Sequence, residues 1–265
     1  MHKESPIGIF DSGLGGLTVL RELVAVLPGE DIVYYGDTAH LPYGDKSRAQ
    51  MMRYAREITD FMLERDVKAV VAACGTHSST TLEYIAQWLP DRPVLGVVLP
   101  AVRTALQCSR NHKIGIAATQ ATVNAGAHAQ MLQSFNPAVQ CYPVACPRLV
   151  PLVEQGQLDG EETYAAVEEY MQPLKLAGID TLILGCTHYP LLQDLFQQSL
   201  GPERVLVDPA EVTVMELKQE LGSRDWLQER KDSGQRFFYT SGPIESFMDS
   251  AGCLFPDLMM VAKIV

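Results

Sequence analysis

Two cysteines in matching surroundings are the residues of this 265-residue chain best suited to chemistry. Cys74 begins the run Cys-Gly-Thr-His and Cys186 begins Cys-Thr-His, and each follows a short apolar segment. A single free cysteine is usually a small buried apolar residue, but a nearby histidine and a helix N-terminus both favour the thiolate. We therefore interpret both cysteines as reactive thiols, each able to exchange a proton near neutral pH, rather than as buried apolar residues.

Other polar residues near these segments have a chemical and an ordinary interpretation. The glycine-rich run from Asp11 to Thr18 is either a tight turn capped by Asp11 or Ser12, or a loop that holds an anion. It is not a dinucleotide fingerprint, because Thr18 stands where that motif needs glycine. His188, two residues after Cys186, is interpreted as a proton partner. The ordinary interpretations are a solvent-facing ring for His77, a solvated carboxylate for Glu154 and helix caps for Thr119 and Thr122.

Short apolar runs that alternate with longer helical patterns predict an α/β fold with mainly parallel sheets. The predicted strands are Ile7–Phe10, Ile32–Tyr35, Ala69–Ala73, Val94–Val97, Ile114–Ala117, Val139–Tyr142, Thr181–Leu184 and Val205–Val207. The predicted helices include Leu17–Leu27, Ser47–Arg65, Ser79–Leu89, Thr122–Ser134 and Gly160–Ala177. After Lys218 no motif is recognisable, and a packing helix is expected.

The two halves of the chain are similar to each other. Residues at three predicted strand ends recur in order at an offset of about 110 residues, which suggests a duplicated unit: Asp11, Cys74 and Gly96 correspond to Thr119, Cys186 and Asp208. We predict two pseudo-symmetric, doubly wound domains, one of residues 1–98 plus 209–265 and one of 99–208. Ligands of such sheets bind beyond the carboxyl ends of the strands, so the active site is expected in the cleft between the domains.

Composition excludes several classes of protein. A net charge of -11 repels nucleic acid, and no apolar run approaches the ~18 residues of a membrane span. Without an apolar leader, and with six cysteines in a long chain, the expected location is the cytoplasm with reduced thiols. Cys141 and Cys146 lack a second Cys/His pair at zinc spacing, so no metal is expected.

Together the motifs resemble those of glutamate racemases, in the aspartate/glutamate racemase family, over about residues 6 to 215. The matching segments are Ile9–Gly16, Tyr35–Ala39, Pro42–Gly44, Gly115 with Thr119 and Thr122, Ala145–Glu154 and Leu184–Pro190. The resemblance implies a small-molecule substrate, glutamate, and catalysis without a cofactor. It also implies a homodimer that supplies D-glutamate for peptidoglycan.

The resemblance also implies roles for individual residues. Cys74 would take the proton from D-glutamate and Cys186 from L-glutamate, with Asp11 assisting Cys74, and His188 and Glu154 assisting Cys186. Substrate contacts would come from Asp11, Ser12, Pro42, Tyr43, Gly44, Gly75, Thr76, Thr119, Thr122, Thr187 and His188.

The chain departs from the family pattern at a few positions. Where the family reads Cys-Asn-Thr-Ala, this chain reads Cys-Gly-Thr-His from Cys74, so Gly75 replaces the asparagine and His77 replaces the alanine. His40 replaces an arginine. Ala125 and His128 replace a usual serine and tyrosine. Losing the asparagine contact to a charged substrate would cost about 1.5–3 kcal/mol. Two alternatives to a glutamate racemase therefore remain: a racemase of a related acid such as aspartate, and a two-lobed amino-acid-binding protein that has lost catalysis.

Overall fold

The chain folds around two parallel sheets with helices between the strands. The computed structural model describes residues 3–43, 46–230, 232–259 and 262–264, so Gly44, predicted to contact substrate, lies outside the described residues. The strands are β1 (Ile7–Asp11), β2 (Ile32–Gly36), β3 (Ala69–Ala72), β4 (Val94–Gly96), β5 (Lys113–Ala118), β6 (Gln140–Ala145), β7 (Thr181–Leu184), β8 (Val205–Val207), β9 (Arg236–Thr240) and β10 (Ala262–Ile264).

Helices of very different length connect these strands. They are α1 (Leu17–Val26), α2 (Arg48–Glu64), α3 (Gly75–Thr80), α4 (Leu82–Trp88), α5 (Val98–Cys108), α6 (Gln120–Ala125), α7 (Ala127–Phe135), α8 (Leu149–Glu154), α9 (Glu161–Ala177), α10 (Gln193–Leu200), α11 (Pro209–Ser223), α12 (Ile244–Leu254) and α13 (Pro256–Met259). None of the helices in the described part of the chain is both long enough and apolar enough to cross a bilayer.

The second sheet repeats the strand order of the first. The six-stranded sheet runs β10-β9-β2-β1-β3-β4 and the four-stranded sheet runs β6-β5-β7-β8, so β5 to β8 take the places of β1 to β4. Every strand pair is parallel. β1, β3 and β7 are buried along their whole length, as expected for strands covered by helices on both faces. The prediction of two related α/β lobes with parallel sheets is confirmed.

Each sheet has apolar cores of its own. Val97 packs in a core with α1 and α11, whereas Val98, the next residue, packs with α5 against the four-stranded sheet. The buried face of α11, including Val214 and Leu217, returns to the first core. We call the parts built on the six-stranded and the four-stranded sheet the first and the second lobe. The exact domain boundaries stay a prediction, which these separate cores support.

Two of the predicted helices are each divided into two in the structure. The predicted helix over 122–134 is two helices, because Gly126 adopts a left-handed conformation with φ of 68° between α6 and α7. The predicted helix over 79–89 is likewise divided at Thr81 into α3 and α4.

The expectation for the tail after Lys218 was incomplete. Besides the helix α12, the tail contributes β9 and β10 to the six-stranded sheet, and β9 pairs with the whole of β2. The run Arg-Phe-Phe-Tyr-Thr of β9 is rich in aromatic residues and has the composition of a strand. That compositional signal could have been recognised in the sequence.

Candidate active site

The carboxyl ends of strands from both lobes surround one cavity of about 460 Å³. Cys74 comes after β3 and Cys186 after β7, the equivalent strands of the two sheets, and both sulfur-bearing side chains line this cavity. Its other lining residues are Ser12, Leu41, Pro42, Tyr43, Gly75, Thr76, Thr119, Gln120, Thr122, Cys146, Pro147, Val150, Pro151, Glu154, Gln155, Gly185, Thr187 and His188. The two equivalent cysteines thus meet at one site.

Cys74 lies in an apolar part of the wall. It is the N-cap residue of α3, is 5% exposed, and packs in a small cluster with Tyr43, Met51 and Tyr54. Burial, together with the nearby charge of Asp11, raises the pKa of the Cys74 thiol from 9.0 to about 12, against the smaller effect of backbone N–H groups from α3. At neutral pH this cysteine is therefore a protonated thiol, which can act as an acid.

Cys186 has a charged partner instead. Nδ1 of His188 lies 3.8 Å from its sulfur, and Nε2 of the same ring lies 3.2 Å from Oε1 of Glu154. Burial of the ring opposes its charge, but the contacts to Cys186 and Glu154 outweigh this and raise the pKa of His188 from 6.5 to about 10. At neutral pH the ring is an imidazolium that donates to both neighbours.

Asp11 lies behind the cavity wall rather than in it. Its side chain is fully buried, its Oδ1 accepts from the backbone N–H of Gly13 at 3.0 Å, and its Oδ2 accepts from the hydroxyl of Thr187 at 3.1 Å. Burial raises the pKa of this carboxyl, against the effect of the nearby His188. Asp11 connects the two lobes through Thr187, but it is not among the described residues that line the cavity.

The glycines after Asp11 are explained by close packing. A Cβ at Gly16 would lie 2.5 Å from the Cβ of Asp11, and one at Gly15 would overlap Thr187 and His188. Asp11 caps the turn after β1, as its ordinary interpretation predicted, by accepting from the backbone N–H of Gly13, whereas the N-cap of α1 is Gly16 and no side chain caps that helix. Of the loop, Ser12 reaches the cavity.

Three threonine hydroxyls join the lobes along another edge of the cavity. Oγ1 of Thr76 lies 3.3 Å from that of Thr119 and 3.4 Å from that of Thr122. Thr119 also caps α6, as its ordinary interpretation predicted, by accepting from the backbone N–H of Thr122. Beside them, a Cβ at Gly75 would lie 2.5 Å from the carbonyl oxygen of Gly185 in the other lobe. Gly75 therefore permits the close approach of the two lobes.

Sequence analysis missed several residues of this site. Gln120, Gln155 and Cys146 line the cavity. Gln120 and Gln155 directly follow Thr119 and Glu154 of the recognised motifs, and Cys146 lies within one of those motifs. His77, interpreted as solvent-facing, is fully buried beneath the wall. The sequence could not predict this burial, because a helix as short as α3 has no repeating pattern that separates its buried face from its exposed face. No lysine or arginine occurs among the described lining residues, and the described residues contain no cluster of His, Cys, Asp or Glu suited to a metal ion.

Fold and site together define a two-lobed α/β protein in which equivalent strands of the two lobes each bring a cysteine, Cys74 and Cys186, to a shared cavity. Comparison with known proteins agrees with this class. Residues 7–217 match the family model described as Asp/Glu/Hydantoin racemase, and the chain belongs to that family.

Relatives and solved structures extend this similarity over nearly the whole chain. The chain is 42% identical over 255 residues to a glutamate racemase of Desulforudis audaxviator, covering 93% of this chain and 92% of the relative. It is 45% identical over 239 residues to one of Neisseria meningitidis serogroup A, covering 90% and 88%. These matches confirm the resemblance found in the motifs.

Two crystal structures are similar throughout. Glutamate racemase isoform RacE1 of Bacillus anthracis superposes with a TM-score of 0.93 at 34% identity, covering 100% of this chain and 97% of the other. Glutamate racemase of Francisella tularensis in complex with D-glutamate gives a TM-score of 0.92 at 32% identity, covering 99% and 98%.

Proposed function

We propose that this chain interconverts L- and D-glutamate by proton transfer between Cys74 and Cys186, without a cofactor. The observation that carries the proposal is that both cysteines, from equivalent strands of two lobes, line one cavity. Inversion at Cα needs a base on one face and an acid on the other, and two thiols can exchange these roles. A protein that only binds an amino acid has no need for a second thiol.

Glutamate as the substrate is supported by the relatives and by the lining of the cavity. The relatives cited above are named glutamate racemases, and one neighbour was solved with D-glutamate. A volume of about 460 Å³ is within the range of small-molecule sites. Because the described lining lacks lysine and arginine, the substrate carboxylates would be held by backbone N–H groups and by hydroxyls such as those of Ser12 and Thr76, and His188 would contribute through its positive charge.

Conversion of L- to D-glutamate uses Cys186 as the base and Cys74 as the acid. The Cys186 thiolate removes the α-proton of L-glutamate and becomes a thiol, and the electron pair of the broken C–H bond passes into the α-carboxylate. Cys74 then donates its proton to the opposite face of Cα and becomes a thiolate. The protonated His188, held by Glu154, stabilises the anionic starting sulfur, and preorganised donors at the carboxylate stabilise the carbanion-like transition state.

The reverse reaction uses the same groups in opposite roles. The Cys74 thiolate removes the proton of D-glutamate and the Cys186 thiol donates to the other face. Asp11 acts on the Cys74 side through its charge, since its carboxylate favours the neutral thiol there, and it holds Thr187 in the loop of Cys186. The protein would act in the cytoplasm as a homodimer, and its D-glutamate would supply peptidoglycan synthesis.

Solvent-deuterium incorporation at Cα, followed by proton NMR, tests this proposal. L- and D-glutamate and L- and D-aspartate are supplied separately, without added cofactor. Exchange of both glutamate enantiomers is the expected result. Exchange of aspartate alone would keep the chemistry and overturn the substrate, and tight glutamate binding without exchange of any of the four would identify a binding protein and overturn the reaction.

A further inference from the structure

His77 is a buried histidine that contacts the cavity wall but has no role in the proposed reaction. The side chain is fully buried. Its Nδ1 lies 2.7 Å from Oγ1 of Thr81 and its Nε2 lies 3.3 Å from the hydroxyl of Tyr43. The rings of His77 and Tyr43 meet edge to face, with centroids 5.0 Å apart. Both ring nitrogens therefore have a partner, and one of those partners lines the cavity.

The direction of each hydrogen bond follows from the number of protons available. The hydroxyl of Tyr43 has one proton, which it donates to Oδ2 of Asp37, because a carboxylate can only accept. The Tyr43 oxygen must then accept from Nε2–H of His77. The hydroxyl of Thr81 has one proton and two acceptors within reach, Nδ1 of His77 at 2.7 Å and the backbone oxygen of His77 at 3.2 Å. With its own proton on Nε2, Nδ1 of His77 is the nearer acceptor and takes the Thr81 proton. Burial lowers the pKa of His77 to about 4, against the charge of Asp37, so the ring is neutral and carries one proton, as this chain of bonds requires.

The other end of the network is equally well satisfied. Asp37 also accepts from the hydroxyl of Ser241 at 2.6 Å and from Nδ1 of His40 at 2.7 Å. Ser241 follows β9, so the tail of the chain holds this carboxylate in place. Burial and the charge of Asp37 raise the pKa of the Tyr43 phenol, so the hydroxyl keeps the proton that it donates. Thr81, His77, Tyr43 and Asp37 thus form one continuous chain of hydrogen bonds.

The network reaches the cavity through Tyr43, which is one of the lining residues. Tyr43 packs beside Cys74 in the same small cluster, and the position of its ring therefore shapes the wall next to that sulfur.

We propose that His77, as its neutral Nε2–H tautomer, is a positioning residue that holds the Tyr43 ring against the cavity wall beside Cys74. The expected effect on turnover rests on the proposed function, whereas the expected tautomer rests on the hydrogen-bond geometry. It acts through Tyr43 and does not touch the reacting atoms.

A pair of amide substitutions separates the contact to Tyr43 from the rest of the environment. The amide nitrogen of His77→Gln reaches the place of Nε2 and can still donate to Tyr43, whereas the amide of His77→Asn reaches only as far as Nδ1. Both variants bury an uncharged amide. We expect His77→Asn to lower kcat/KM for glutamate about tenfold, mainly through KM, and His77→Gln to restore most of the loss. Equal kcat/KM in the two variants, at matched melting temperatures, would overturn the inference.

The tautomer provides a test that does not depend on activity. Nitrogen-15 NMR of the histidine ring in the wild-type protein is expected to show a proton on Nε2 and none on Nδ1 of His77. A proton on Nδ1 would mean that Tyr43 is not held by this ring, and would overturn the inference even in an active racemase. A wild-type protein that exchanges no glutamate would overturn the proposed function, whereas the tautomer would still decide the network.

Discussion

Nε2 of His188 lies 3.2 Å from Oε1 of Glu154, and the opposite side of the same ring contacts Cys186. The carboxylate thus acts on the sulfur through the ring, by favouring its protonated form. In Glu154→Gln that support is lost, so we expect the basic limb of the pH profile for L-glutamate turnover to move below about 10 and turnover at neutral pH to fall about tenfold.

The pH dependence of kcat for both enantiomers checks this expectation. Glu203→Gln, which removes an exposed carboxylate of the same lobe, is the matched control and should keep the wild-type profile. An unchanged basic limb in Glu154→Gln would show that Glu154 does not support the charge of His188.

Replacing Cys74 or Cys186 should abolish racemisation. We expect Cys74→Ser and Cys186→Ser each to lower the racemisation rate by a factor on the order of 10³, because a hydroxyl is a much weaker acid than a thiol. Exchange of the α-proton should persist longest for the enantiomer facing the remaining thiol: L-glutamate in Cys74→Ser and D-glutamate in Cys186→Ser. Cys141→Ser, a half-buried cysteine outside the cavity, is the control. Near-normal turnover in either cavity variant would refute the two-thiol scheme.

The contact of Gly75 with the other lobe predicts a cost for any side chain there. Since a Cβ would lie 2.5 Å from the backbone oxygen of Gly185, Gly75→Ala should force the lobes apart, with a loss of about 1–3 kcal/mol in the free energy of unfolding and a higher KM. Urea denaturation and steady-state kinetics measure the two effects.

Gly252→Ala is the control for that substitution. No described atom lies within 4 Å of a Cβ at this position of α12, so alanine should stabilise the helix by about 0.5–1 kcal/mol. If Gly75→Ala proved as stable and as active as the wild type, the lobes would not be as closely apposed as this contact indicates.

The raised pKa of His188 predicts how stability changes with pH. The group binds its proton more tightly in the folded protein, so its contribution to the free energy of unfolding is complete below pH 6.5 and is lost as the pH rises through about 10. His188→Asn should therefore show a shallower decline in stability between these values than the wild type. Urea unfolding at several pH values provides the comparison, and parallel declines would contradict the assignment of a charged His188.

Predicting the second lobe as a copy of the first succeeded because the signal was local and repeated. Short apolar runs, each followed by a turn and a polar residue, mark buried parallel strands wherever they occur. The same local patterns predict that Cys74 and Cys186 lie at equivalent strand ends. The same reasoning did not predict the strands of the tail. β9 pairs with β2, which is far from it in sequence, and no local pattern indicates which strand is its partner.

Whether an individual side chain is buried or lines the cavity was harder to predict than the positions of the helices and strands. His77 was taken for a solvent-facing residue, and it is buried because Phe10 and Tyr43 cover its ring. Asp11 was predicted to contact substrate, and it lies behind the wall with both carboxylate oxygens occupied by Gly13 and Thr187. In both cases at least one deciding neighbour is distant in sequence: Phe10 and Tyr43 for His77, and Thr187 for Asp11.

The sequence by itself determined the family, the two-lobed parallel architecture and the identity of the two thiols, because each of these follows from local patterns of residue type and spacing. Only the tertiary structure decided how the site is charged: which cysteine adjoins a protonated histidine, and which is surrounded by apolar side chains and a buried carboxylate. The reason is physical. The pKa of a buried group depends on desolvation and on charges a few ångströms away, and those are supplied by residues from different strands, helices and lobes.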